Sequence, residues 1–279
     1  TLTTTSVETT ILKVTGDQSL TVTNAIDSKI ATVDASAHTG TATSITGTDT
    51  ATTYTGGSGA DTFVAGSAAD IISSGAGNDI ITAGTGNDIV TLGAGNDSVS
   101  SGAGTDSLTG GAGNDTFNMG TTDLTSVDTV AGGDGTDTII HSAVVDVDFT
   151  NVTGVEKLQM AATATNTLGA LAQAAGITTV DLATSAAYTV AASAYTVALT
   201  IDATAGAGVV EDITTGSGDD IFQFSLTNGL DASDSIDAGS GTDTIQLVNS
   251  VATTVTYDAD IHEGIDKIVL TDANGAATG

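Results

Sequence analysis

The chain has no cysteine, proline, tryptophan or arginine in its 279 residues. Without cysteine, no disulfide can staple a small core, which fits either a reducing compartment or a bacterial secretion route in which folding waits for the outside. Aromatics make up only 3%, so any core must be thin and built from small and β-branched side chains, which suits a stacked solenoid better than a globule. Basic residues are scarce as well: four lysines stand against 34 acids, a net charge of -30. That balance excludes nucleic acid and anionic membrane as partners and favours cations. No run of about 18 apolar residues occurs, so no helical membrane insertion is expected. The sequence starts at Thr1 with no apolar leader behind it, and its beginning reads as processed or cut from a longer chain.

What is present is aspartate and glycine in phase. Of the acids, 30 are Asp and only four are Glu, and Asp favours turns where Glu favours helices. Seven nine-residue units run without a gap from Gly56 to Asn118: GGSGADTFV, AGSAADIIS, SGAGNDIIT, AGTGNDIVT, LGAGNDSVS, SGAGTDSLT and GGAGNDTFN. Further units stand at 132–140 (GGDGTDTII), 215–223 (TGSGDDIFQ) and 238–246 (AGSGTDTIQ), with degraded neighbours ending in Asp128-Thr129-Val130 and Asp234-Ser235-Ile236. A longer repeat lies over the short one: ITTVDLAT echoes IATVDAS, and GVEKLQM echoes GIDKIVL, which suggests two tandem modules, 1–160 and 161–279. More finely, the text divides into a solenoid segment at 1–55, the main array at 56–140, a solenoid segment with a short helix at 141–214, and a second array segment at 215–279.

Glycines at positions 2 and 4 of each unit permit left-handed backbone, so six residues can curl tightly and aim main-chain carbonyls inward. The Asp at position 6 adds a carboxylate at the same point. The last three residues form a short strand whose position 8 is apolar: Phe63, Ile72, Ile81, Val90, Val99, Leu108 and Phe117. Two units make a coil of eighteen residues, and stacking coils about 4.8 Å apart brings each Asp over another. In water that is repulsion. A hard cation that takes six to eight oxygens turns it into binding, and flexible carbonyl-rich loops suit Ca²⁺ better than Mg²⁺. Thiols are absent and histidines few, so softer metals have little to hold.

The units resemble the RTX, or haemolysin-type, calcium-binding nonapeptide GGxGxDxUx. The resemblance implies an all-β, right-handed parallel β-roll or β-solenoid with several Ca²⁺ ions in the turns. By that resemblance the ligands are Asp61, Asp79, Asp88, Asp97, Asp106 and Asp115, with the carbonyls around Gly57, Gly59, Gly75, Gly77, Gly84, Gly86, Gly93, Gly95, Gly102, Gly104, Gly111 and Gly113. Asp70 belongs to the set although Ala68 replaces its position-4 glycine. Asp137 with Gly133 and Gly135, Asp220 with Gly216 and Gly218, and Asp243 with Gly239 and Gly241 complete it. The flanking DQSLTVTN, TVDAS and GVEKL look like calcium-dependent surface-layer proteins of Gram-negative bacteria and related repetitive adhesins. That likeness implies type I secretion, folding outside the cell on calcium, and self-assembly at the bacterial surface. The array is expected to be disordered without calcium.

Outside the arrays, SLTVTN (19–24), AAYTVAASAYTVALTID (186–202) and ATTVTYD (252–258) read as strands. One helix is expected near 166–176, with Asn166 or Thr167 as N-cap, Leu168, Leu171, Ala172 and Ala175 on one face, and Gly176 just past its end. His38, His141 and His262 are isolated and expected at the surface or in loops. Lys13, Lys29, Lys157 and Lys267 read as solvated strand-edge charges, the latter two with a local ion pair to the preceding acid. Tyr188 and Tyr195 read as packing, and the Asn-x-Ser/Thr triplets at Asn96, Asn114 and Asn151 as turn chemistry rather than sugar attachment. No HExxH or GxSxG motif occurs, so no catalytic site is expected. The preferred reading is a structural protein whose partners are copies of itself in a sheet or fibre, with cell-surface polysaccharide as a further partner. The alternatives are an adhesin stalk or biofilm-matrix module, and the secretion and folding module of an enzyme whose catalytic domain lies elsewhere.

Overall fold

An eighteen-residue step governs the strand pairing. In the computed structural model Ile71 pairs with Ile89 and Ile89 with Ser107, each in parallel and each eighteen residues on. Thr62, Ile80, Ser98 and Thr116 follow the same step in a second sheet. The structure describes residues 10–22, 25–26, 28–40, 43–120, 123–142, 144–161, 165–182, 187–204, 211–225, 230, 234–248 and 262–270. The chain is an all-parallel β-solenoid, and two compact units divide it: Thr1–Ile139 with Asn151–Val155, and Ile140–Thr150 with Glu156–Gly279.

In the first unit one sheet stacks Thr10–Gly16, Ile30–His38, Thr53–Thr55, Ile71–Ala76, Ile89–Ala94, Ser107–Ala112, Thr129–Asp134 and Val152–Thr153. The other stacks Leu20–Val22, Thr43–Thr46, Thr62–Val64, Ile80–Thr82, Ser98–Ser100 and Thr116–Asn118. Successive strands alternate between the sheets, as turn, strand, turn, strand requires. The position-8 residues point inward and are at most 1% exposed, in two columns: Tyr54, Ile72, Val90 and Leu108 on one sheet, Phe63, Ile81, Val99 and Phe117 on the other. The columns meet where the Tyr54 and Phe63 rings tilt together with centroids 5.4 Å apart. Burying each such side chain contributes about 1.5–3 kcal/mol, so the core is a thin double stripe repeated in every coil.

Beyond the main array the coil lengthens. Leu108 pairs with Val130 and Val130 with Val152, a step of 22. In the second unit the registers Thr179 to Thr200, Thr200 to Ile221 and Ile221 to Thr244 step by 21, 21 and 23. Aromatics fill these wider coils too, with Phe222 and Phe224 both fully buried. The second sheet of this unit runs Thr165–Thr167, Tyr188–Ala191, Glu211–Thr214, Ser235–Asp237 and His262–Glu263. Tyr188 and Tyr195 pack inside, and the Tyr188 hydroxyl donates to the Met160 carbonyl at 3.2 Å.

The expected helix forms over Ala170–Ala175 and ends at Gly176 with φ +111°. Its start is corrected. Thr165–Thr167 is a strand, and the N-cap is Gly169, which has no side chain to accept a bond. The acceptor comes from another coil: Asp146 Oδ1 takes the N–H groups of Gly169 and Ala172 at 2.8 and 2.9 Å, and Oδ2 takes Leu171 N–H at 3.3 Å. Leu168, Ala172 and Ala175 are buried as expected, but Leu171 lies outward at 37% exposure. The strand expected at 252–258 lies outside the described residues.

Candidate metal sites in the turns

A representative turn runs Gly93-Ala94-Gly95-Asn96-Asp97. Gly93 and Gly95 have φ of +113° and +142°, a region that L side chains rarely adopt. A Cβ on either would fall on the carbonyl oxygen of Gly75 or Gly77 in the coil below. Only hydrogen fits between the stacked turns. The N–H of Gly77 donates to Ala94 O, and that of Gly95 to Ala112 O, both at 2.8 Å.

The aspartates form ladders. One oxygen of each accepts the backbone N–H of the aspartate one coil earlier: Asp79 from Asp61, Asp97 from Asp79, Asp115 from Asp97 and Asp137 from Asp115, at 2.7 to 2.9 Å. A second column on the opposite side joins Asp70, Asp88, Asp106 and Asp128 in the same way. In the second unit Leu199 N–H donates to Asp220, Asp220 N–H to Asp243, and Asp243 N–H to Asp266. The candidate glycines stack likewise: Gly57, Gly75, Gly93, Gly111 and Gly133 in one file, and Gly59, Gly77, Gly95, Gly113 and Gly135 in another. Gly84 and Gly102 lie over Gly66, Gly86 and Gly104 over Ala68, Gly239 over Gly216, and Gly241 over Gly218. The alanine at 68 thus leaves the Asp70 turn in its column.

The other carboxylate oxygen carries the chemistry. Oδ2 of Asp70, Asp79, Asp88, Asp97, Asp106, Asp115, Asp220 and Asp243 is buried and accepts no hydrogen bond. A buried carboxylate oxygen without a donor is costly, and it calls for a proton or a cation. Burial raises the carboxyls of Asp79, Asp88, Asp115, Asp220 and Asp243 above the ordinary range. Burial raises Asp70 as well, and the Thr52 N–H that its other oxygen accepts at 2.7 Å offsets part of the rise. Asp97 and Asp106 are pushed up to about 6, first by burial and then by the carboxylates above and below them. Lys13, paired with Asp34, and Lys157, paired with Asp181, neutralise none of these oxygens.

Calcium fits this donor set. Among the described residues no three His, Cys, Asp or Glu side chains converge as a metal cluster; the aspartate carboxylates and the main-chain carbonyls of the glycine turns are the oxygens that would hold an ion. Such an all-oxygen shell of mixed charge is one Ca²⁺ accepts and Zn²⁺ does not favour. Calcium would supply the positive charge that lets the stacked carboxylates stay ionised. The aspartates would bind it, and the glycine turns would hold the carbonyls in place.

Several residues behave otherwise than the sequence suggests. Asp61 has both oxygens occupied, by Thr43 N–H at 2.9 Å and Gly57 N–H at 2.8 Å. Asp128 and Asp266 join the ladders although the Asp128 turn has no glycine and the Asp266 turn keeps only Gly264; the retained Asp-Thr-Val phase was the one signal for Asp128. His38 and His141 are buried, at 1% and 2% exposure, not at the surface. His38 sits between Thr43 Oγ1 and Gln18 O, at 2.9 and 2.7 Å. The side chain of His262 lies outside what is described. Lys157 pairs with Asp181 of the next coil at 2.6 Å. Asn96 and Asn114 are turn residues as expected: Asn78 Oδ1 accepts Asn96 N–H and Asn96 Oδ1 accepts Asn114 N–H, an outer ladder beside the aspartates. Asn151 Nδ2 donates to Ser126 O.

No curated protein matches the chain. A family model described as RTX calcium-binding nonapeptide repeat (4 copies) matches residues 46–81, 55–90, 82–117, 125–146 and 228–246. These stretches contain most of the ladder aspartates. Stacked glycine turns, in-register carboxylate columns, a two-sheet parallel coil and this match agree, and the chain carries RTX calcium-binding nonapeptide repeats over the matched residues.

Proposed function

We propose that this chain is an extracellular structural protein that binds several Ca²⁺ ions in its aspartate columns, folds on binding them, and assembles with copies of itself into a surface layer or fibre on the bacterial cell. The observation that carries this reading is the row of buried carboxylate oxygens without donors. At a dissociation constant of about 10⁻⁴ M and about tenfold more free calcium, each ion adds about 1.4 kcal/mol to the folded state, and five add about 7 kcal/mol. That is comparable with the whole stability of a domain. The net charge of -30 makes the same columns self-repelling without the ion.

Assembly is supported by an apolar strand surface. In the second unit Ile265–Leu270 continues the sheet, and Ile268 and Leu270 extend the inner columns of Ile245 and Leu247. Both side chains are more than 40% exposed. Apolar side chains exposed on a sheet strand offer a packing surface to another chain. The test is light scattering with negative-stain electron microscopy of calcium-stripped protein brought to about 5 mM calcium, a range that saturates weak extracellular sites. Ordered sheets or filaments that dissolve in chelator support the reading. A folded rod that stays monomeric favours a stalk or matrix module.

A further inference from the structure

The carboxylate columns of the first unit end in a way their interior turns do not. In the interior, Asp79, Asp97 and Asp115 each give one oxygen to the preceding coil and keep the other without a donor. Asp61 matches the nonapeptide pattern as well as any of them, yet its Oδ2 accepts Gly57 N–H of its own turn at 2.8 Å. One coil earlier, where the column's next aspartate would stand, is Thr43. The turn around it is filled by the His38 ring, held between Thr43 Oγ1 and Gln18 O. The packing is close: a Cβ on Gly40 would lie 2.7 Å from the imidazole. The other column closes at its opposite end. Asp128 Oδ1 accepts Asp106 N–H at 2.9 Å, and Oδ2 accepts both Thr125 N–H and Thr125 Oγ1–H at 2.8 Å.

We infer that Asp61 and Asp128 hold no calcium and are terminators of the ion columns, with Gly57 N–H and the Thr125 N–H and O–H standing where a cation stands in the interior turns. A donor at 2.8 Å from a carboxylate oxygen satisfies its charge-assisted bond, and an ion would have to displace that donor. At the Asp61 end it would also have to find room beside a buried imidazole. The calcium run is thereby bounded at one end of each column by the protein's own donors, so sequence units and bound ions differ in number. Asp61 is a unit without an ion, although the repeat pattern gives it one.

The inference rests on the calcium reading, and the experiment separates the two. Calcium stoichiometry is measured by flow dialysis and isothermal titration on wild type, Asp61→Asn, Asp128→Asn, Asp97→Asn and Asp106→Asn, each checked for folding by circular dichroism in calcium. Asp97→Asn and Asp106→Asn are expected to lose about one ion or more, because each removes an open carboxylate of a hard-oxygen shell. Asp61→Asn and Asp128→Asn are expected to keep the wild-type number. Loss of an ion in either terminator variant overturns the inference while leaving calcium binding intact; no binding by wild type overturns the calcium reading itself. Should a terminator variant fail to fold, wild-type crystals grown in calcium decide. Anomalous peaks beside Asp97 and Asp106 with none at Asp61 or Asp128 support the inference, and a peak at either terminator refutes it.

Discussion

Gly16→Ala and Gly93→Ala separate two reasons for a glycine. The residues share one backbone conformation, φ +114° and +113°, but a Cβ on Gly16 meets nothing within 4 Å, whereas one on Gly93 collides with the carbonyl of Gly75. Conformational strain alone is about 1–2 kcal/mol. Overpacking against a backbone that cannot rotate away adds about 1–3 kcal/mol more. Gly16→Ala is therefore expected to cost about 1–2 kcal/mol and Gly93→Ala about 2–5 kcal/mol. At about 2–4 °C per kcal/mol for a chain of this size class, the melting temperatures fall by about 2–8 °C and 4–20 °C. Thermal unfolding followed by circular dichroism in saturating calcium reads both. If the two variants melt together, the stacked turns do not approach as closely as described, and the nested carbonyl files cannot be what demands glycine.

In chelator, the β-signal is expected to rise as the pH is lowered from about 7.5 to about 5. Asp97 and Asp106 sit at about 6 in the fold against about 3.9 unfolded. The ion-free fold therefore binds more protons, and its stability, fullest below the unfolded value, is lost as the pH passes up through 6. A signal that grows with pH contradicts this. Asp146→Ala removes the acceptor of three helix N–H groups and is expected to cost about 1–2 kcal/mol; hydrogen exchange should speed up over 169–176 and stay unchanged over 71–112. Asn96→Ala deletes the acceptor for Asn114 N–H, so the urea midpoint in calcium should fall by the equivalent of about 0.5–1.5 kcal/mol with calcium stoichiometry unaltered. Lys157→Ala breaks a half-exposed cross-strand pair and should cost under about 1 kcal/mol in the same assay.

The array was legible because each of its requirements is local. Gly93, Gly95 and Asp97 stand in one turn, and their spacing alone states which backbone curls and which carboxylate points in. Position 8 announced the core for the same reason, since Val90 and Leu108 keep a fixed phase behind each aspartate. Legibility fails where a partner comes from another coil without a repeat to announce it. Asp146 caps a helix that begins more than twenty residues later, and Lys157 pairs with Asp181 of the next coil. His38 is buried by Gly40 and Thr43, whose glycine and threonine look like any other loop text. In the second unit the step of 23 from Ile221 to Thr244 was legible from the glycine units at 215 and 238, whereas the steps of 21 from Thr179 to Thr200 and from Thr200 to Ile221 had no such phase to announce them.

The alternation of strands between two sheets sets a rule for how such a gene can grow or shrink. Within the main array consecutive units lie on opposite sheets, and Asp79 stacks on Asp61 and Asp97 while Asp88 stacks on Asp70 and Asp106. Loss of nine residues by slippage or recombination exchanges the two sheets for everything downstream, so every later unit meets the wrong column. Loss or gain of eighteen residues restores every register and changes only the length, by about 4.8 Å per coil. Tandem duplication in pairs of units is thus close to neutral, whereas duplication of a single unit is a frameshift in space, with the reading frame intact and the fold out of phase.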